Sequence, residues 1–139
     1  MANSKSTLHH AKPKIVVSDV DEKRLNGLAT AVADRMPELA DELLGELDRA
    51  KIVSQRTMPA NVVQMGSAVE YAADDGQRRV TLVYPGEADI AQGKISILTP
   101  IGTALIGLTE GQSIEWTARD ERRHRLTVLN VHNDAAAEK

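Results

Sequence analysis

The sequence predicts an α+β fold: a pair of antiparallel helices, then a mostly antiparallel sheet carrying one short helix. Three observations predict it. Apolar residues recur at spacings of three and four between positions 25 and 50, the period of a helix face. After a polar stretch at 54–61 the pattern changes to strand-length runs of alternating residues, punctuated by Gly and Pro turns. Within those strands, Thr99-Pro100 opens a short apolar segment closed by Gly107, a helix start and stop in the middle of the sheet. Helices followed by strands, rather than alternating with them, mark an α+β arrangement.

The elements follow in order. Residues 1–13 are polar, lack periodicity and end in Pro13, and are expected to form a disordered tail. Lys14 to Val17 is a short apolar run, either an edge strand or the lead into a helix. Ser18 is an N-cap with Asp21 and Glu22 in the first turn, where carboxylates suit the helix dipole. Leu25, Leu28, Ala29, Val32 and Met36 then form one helical face. Pro37 restarts a helix and pushes Met36 out of helical geometry, so a turn falls near Asp34 to Met36. Leu39, Leu43, Leu47 and Ala50 repeat the spacing, and the stripe fades at Ile52 and Val53.

Each helix spans about 16 residues, so the pair is roughly 24 Å long. The stripes are narrow, closer to a two-helix seam than to a broad core face, which favours a projecting hairpin, a short coiled coil, over helices laid on the sheet. The hairpin is assigned to 14–53, a linker to 54–61, the sheet domain to 62–132 and a second tail to 133–139. In the sheet domain the strands fall at Ser67 to Ala73, Gln77 to Tyr84, Lys94 to Leu98, Ser113 to Thr117 and Arg123 to Val131. Leu126, Val128 and Asn130 share one face of the last strand by alternation.

Composition narrows the function. The 139 residues carry a net charge of −3, so no whole-protein basic footprint for nucleic acid exists, and direct sequence-specific binding to it is not expected. Cysteine is absent, which removes disulfides and thiolate metal sites. No apolar run approaches the ~18 residues of a membrane span, and the first residues lack a secretory h-region, so a cytoplasmic protein without membrane contact is expected. Tyr71, Tyr84 and Trp116 are the only aromatic residues, too few for an aromatic-walled pocket.

Catalytic motifs are missing. The histidines, His9, His10, His124 and His132, have no metal-ligand spacing, and neither GxSxG nor a phosphate-cradling glycine loop occurs. Neither metal nor cofactor is expected. Three charged groups stand out. Asp34, Glu38, Asp41 and Glu42, with Arg35 between them, cluster at the hairpin turn; they are a solvated turn or an acidic tip offered to a partner. Glu87 and Asp89 follow Pro85-Gly86 as a second acidic pair, on an exposed turn. Arg119, Arg122, Arg123 and Arg125 interleave with Asp120 and Glu121 at a strand turn, either solvated or in contact with a phosphate or an acidic partner.

The stretch Val83 to Trp116 resembles the C-terminal domain of the Gre transcript-cleavage factors of bacterial RNA polymerase. The matching pieces are Gly66-Ser67, Glu87-Ala88-Asp89, Lys94-Ile95-Ser96, Thr99-Pro100-Ile101-Gly102 and Ala104-Leu105-Ile106-Gly107. Gly111 begins the turn where those proteins place Gly-Asp, and Gln112 departs from that pattern. Ile15 to Asp21, Glu46 to Ala50, Pro59 and Val62 to Met65 look like the family of regulators of nucleoside diphosphate kinase, which joins a shortened coiled coil to the Gre-type domain.

The resemblance covers about residues 14–131 and implies an FKBP-like fold for the sheet domain. It implies bacterial RNA polymerase as partner, at the rim of the secondary channel, with docking through Thr99, Pro100, Ile101 and Leu105 and with Glu87 and Asp89 nearby. The implied role is a non-enzymatic transcription regulator that competes with Gre-type factors and acts on nucleoside diphosphate kinase indirectly, most simply as a monomer. The alternative is a transcript-cleavage factor working through the acidic tip. A prolyl isomerase is disfavoured by the lack of aromatic residues.

Overall fold

The computed structural model describes residues 13–74, 76–117 and 122–133, without the side chains of 116 and 117. Strand β1 (Val16–Ser18) leads directly into helix α1 (Asp19–Val32). Helix α2 (Pro37–Arg49) follows after a short turn and runs into β2 (Lys51–Val53), which pairs in parallel with β1. The remaining strands, β3 (Ala68–Ala73), β4 (Gly76–Val83), β5 (Lys94–Ser96), β6 (Ser113–Thr117) and β7 (Arg123–His132), form one sheet in the order β5-β4-β3-β7-β6. Helix α3 (Pro100–Leu105) lies between β5 and β6 in sequence. Every pairing in this sheet is antiparallel except β4 with β5.

Local chemistry accounts for the helix ends. The Ser18 hydroxyl accepts the Asp21 N–H at 3.0 Å, as the N-cap expectation requires. Pro37 occupies the first turn of α2, and Met36 before it leaves the helical region at φ −134°. The helices have 14 and 13 residues, shorter than predicted, and each is about 20 Å long. The residues that follow α2 extend as β2, where parallel pairing with β1 supplies their backbone partners in place of helical bonds.

The helices pack on each other, burying Leu25, Ala29 and Val32 of α1 and Ala40, Leu43 and Leu47 of α2. These side chains join Val69, Tyr71, Leu82, Leu105, Leu126 and Val128 in one core cluster. Asn130 is not on the buried face of β7, contrary to the alternation argument: it is exposed, and Val131 is buried. The register with β3 shifts between Glu70, opposite Asn130, and Tyr71, opposite Val128. Leu129 is the extra residue of this bulge and moves the rest of the strand to the other face.

Gly107 joins the helix pair to the sheet. Its N–H donates to the Val63 carbonyl at 3.0 Å, and its own carbonyl accepts the Val16 N–H at 3.1 Å. Its φ is +82°, and a Cβ there would stand 2.8 Å from Ile15 Cβ and 3.2 Å from the Val16 carbonyl. Gln112 completes the joint. Its side chain accepts the Thr109 N–H at 2.9 Å and donates to the Lys14 carbonyl at 3.1 Å, so the departure from Gly-Asp gives this turn a tie to the N-terminal segment.

Gly107→Ala is therefore expected to destabilise the fold by about 2–4 kcal/mol, combining a left-handed backbone penalty with overpacking. Gly66→Ala shares the positive φ of +89° but opens onto empty space, and is expected to cost about 1–2 kcal/mol. Urea midpoints of the two variants separate the steric contribution from the backbone one.

Candidate functional site

The corner between β5 and α3 is built almost entirely from local hydrogen bonds. Thr99 donates from its hydroxyl to the Ser96 carbonyl at 2.8 Å, and the same oxygen accepts the Gly102 N–H at 3.0 Å. Ser96 Oγ accepts the Leu98 N–H at 2.9 Å, and the Thr103 hydroxyl donates to the Ile97 carbonyl at 3.0 Å. Pro100 takes the first helical position with its φ preset. A Cβ on Gly102 would lie 2.4 Å from the Ser96 carbonyl, so only glycine permits the helix to start this close to the strand. The result is a stiff corner on which Thr99, Pro100 and Ile101 are half-buried and reach the surface.

Leu105 does not share that surface. It is fully buried, and its part is to hold α3 against the core. The expectation that it docks a partner directly is corrected accordingly: its register on the helix points inward, one turn after Ile101.

Glu87 and Asp89 lie on the connection between β4 and β5, which doubles back along β5. The Asp89 N–H donates to the Lys94 carbonyl and the Lys94 N–H to the Asp89 carbonyl, both at 2.9 Å. The turns Pro85–Glu87 and Ile90–Gln92 both pack on β5, whose far end leads to Thr99. Both carboxylates are exposed. Ile90 opens the second turn and is 83% exposed; it is missed from sequence because a lone Ile in a turn carries no periodic signal.

The acidic group at the helix turn is separate from this corner. Asp34 and Arg35 sit in the turn, and Glu38, Asp41 and Glu42 on the first turns of α2; all five are exposed. Among the described residues no group of three or more His, Asp or Glu side chains is arranged to hold a metal ion. Arg119, Asp120 and Glu121 of the basic cluster, and His9 and His10, lie outside the described residues. Arg122 and Arg125 are exposed, and Arg123 reaches Glu115 at 3.6 Å.

A polar joint that sequence reasoning missed ties α1 to the sheet. Asp21 is 9% exposed, and its carboxylate accepts the Met65 N–H at 3.2 Å. Asp19 Oδ1 accepts the Gln55 N–H at 3.1 Å. Asp21 reads from sequence as a dipole partner of α1, and nothing local reveals bonds spanning 36 or 44 residues. Burial pushes the Asp21 carboxyl above its ordinary range, against the opposing pull of the Met65 N–H and the Arg24 charge. The Tyr84 hydroxyl is also pushed up, first by burial and then by the Asp21 charge, with Arg24 opposing. Its oxygen is buried without a hydrogen-bond partner of normal geometry among the described residues. On the outer face of the sheet, the Asn130 amide holds Glu70 below its ordinary range, with help from Arg79.

The comparisons with known proteins agree along most of the described chain. Residues 58–133 match the family model "Transcription elongation factor, GreA/GreB, C-term", and residues 13–53 match "Rnk N-terminus". The chain is 40% identical to the Regulator of nucleoside diphosphate kinase of Escherichia coli K12 over 123 residues, 87% of this chain and 90% of that protein. The chain belongs to the family of regulators of nucleoside diphosphate kinase. It is also 30% identical to Transcription elongation factor GreA of Rickettsia canadensis, covering 79% of this chain and 75% of that one. Among solved structures it resembles a GreA/GreB elongation factor from Nitrosomonas europaea, with TM-score 0.69, 36% identity and coverage of 86% of this chain and 99% of that one. The sheet, its short helix and the preceding helices therefore form a GreA/GreB-like fold. No helix among the described residues is long and apolar enough to cross a membrane.

Two outcomes test the site geometry. Leu105→Ala is expected to cost about 2–5 kcal/mol in chemical denaturation, whereas Ile90→Ser leaves the midpoint within experimental scatter. Asp21→Asn is expected to stabilise the fold at neutral pH. A raised folded pKa means the native state favours the protonated carboxyl; that contribution is full below pH 3.8, the ordinary value, and is lost as pH rises through the folded pKa. The asparagine stays neutral, so its advantage over Asp21 should vanish as the pH of urea titrations falls below that ordinary value.

Proposed function

We propose that this chain is a non-enzymatic transcription regulator that binds bacterial RNA polymerase near the secondary channel and competes there with Gre-type factors. The observation that carries this reading is the tandem of an Rnk N-terminal segment and a GreA/GreB C-terminal segment in one GreA/GreB-like fold. The stiff β5–α3 corner supports it physically. A docking surface gains affinity when its groups are already ordered, because little entropy is lost on binding. Thr99, Pro100 and Ile101 meet that condition, with Ile90, Glu87 and Asp89 on the neighbouring connection. The sheet domain is assigned an FKBP-like fold, and the helix pair acts as a shortened coiled coil directed into the channel.

The helix pair argues for regulation over catalysis. At about 20 Å it is a short arm. Its acidic end carries exposed carboxylates with no metal-holding arrangement among the described residues. That exposure is also the one observation favouring transcript cleavage, in which Asp34, Glu38, Asp41 and Glu42 would help hold a metal in the partner's active site. An influence on nucleoside diphosphate kinase is then indirect, through transcription.

A pull-down on bacterial core RNA polymerase tests the reading. Binding is expected at micromolar protein and is lost on adding excess GreA. Ile101→Asp is expected to weaken binding at least about tenfold while the protein stays folded by circular dichroism. Changing all four tip carboxylates to Ala is expected to leave binding intact. No binding to the polymerase at micromolar concentration would refute the proposal, and tip-dependent RNA cleavage in stalled complexes would establish the alternative.

A further inference from the structure

The helix pair carries a groove that polymerase docking at the sheet corner leaves unused. It is an open cleft of about 470 Å³, bounded by Glu22 and Asn26 of α1, Leu44, Gly45 and Asp48 of α2 and Ile52 of β2. Leu44 and Ile52 give it an apolar surface, and Ile52 is left 43% exposed. Glu22 and Asp48 are the charges on its lining, and no lining residue is cationic. The Asn26 amide donates to Glu22 Oε2 at 3.3 Å and steadies that carboxylate at the groove. The same sign extends over the whole pair, since residues 19–49 carry nine carboxylates and four cations.

Gly45 is the unexpected member. It stands in the interior of α2, where glycine is the weakest helix former after proline. A Cβ added there would meet nothing within 4 Å, so no contact among the described residues requires glycine. Omitting the side chain leaves room for an outside group to approach the helix closely. Glu22 to Asn26 and Leu44 to Asp48 each span one helical turn, so the groove accommodates one or two apolar anchors spaced by a turn. Carboxylates at its edge repel phosphate and acidic peptides and attract lysine and arginine.

We propose that this groove docks a cationic amphipathic helix, its apolar side chains against Leu44, Gly45 and Ile52 and its basic side chains toward Glu22 and Asp48. The occupant is a partner segment of that chemistry rather than a nucleic acid or a second copy of this acidic helix pair.

Fluorescence anisotropy on the full chain tests this without polymerase, so its outcome is independent of the proposed function. The probe is a labelled fourteen-residue Leu/Lys amphipathic peptide, with a Leu/Glu peptide of the same pattern as control. The Leu/Lys peptide is expected to bind at micromolar concentration, less tightly at ~0.5 M salt where exposed charges are screened, and the control is expected not to bind. Gly45→Leu is expected to weaken binding at least about tenfold while leaving the thermal midpoint unchanged or higher, because leucine favours helix. The pair Glu22→Gln and Asp48→Asn is expected to weaken binding and flatten its salt dependence. Equal binding of both peptides, or full binding by the Gly45→Leu chain, would overturn the proposal. So would a concentration-dependent dimer that Gly45→Leu abolishes, which would make a second copy the occupant.

Discussion

The structure depends on the close passage of β1 over Gly107. Two backbone hydrogen bonds meet at that residue, one to Val16 on the helix side and one to Val63 on the sheet side. The distance between chains is so small that a single methyl group would collide with Ile15. Backbone contact of this kind sets position more tightly than side-chain packing, because it has few soft torsions to relax. The helix pair is thereby registered on the sheet before any of its apolar stripe is counted.

Around that point the first turn of α1 adds polar ties. Ser18 caps the helix, Asp19 holds Gln55 and Asp21 holds Met65, so the base of the pair is hydrogen-bonded to the chain that leads into the sheet. Burial of the Asp21 carboxylate opposes its own bond, and Arg24 offsets part of that cost. Gln112 reaches across to Lys14 from the opposite side. The base is thus clamped on two sides, and the direction of the helix pair follows from the sheet.

The surfaces divide the same way. The β5–α3 corner owes its stiffness to hydrogen bonds within eight residues, from Ser96 to Thr103. The acidic turn lies on the helix pair, and the groove beside Gly45 lies between the helix pair and β2. A partner can therefore be held at the corner while the arm meets different chemistry elsewhere.

Much of this was legible in the sequence, and the reason is range. The Ser18 cap, the restart at Pro37, the Thr99-Pro100 helix start and the alternation of β3 are all decided by residues within a few positions of one another. The Gre-type resemblance also rests on short motifs, so the family could be read from them. What the sequence could not disclose depends on distant partners. Ile52 and Val53 became a strand because β1 was there to pair with them. Asn130 turned outward because Leu129 bulges against β3. Leu105 proved buried because the core closes over that face of α3. Asp21 became a structural tie through a bond to Met65 that no local pattern encodes. Local propensity is a property of neighbours in the chain, whereas pairing, burial and ionisation are properties of neighbours in space, and only the tertiary structure decides who those are.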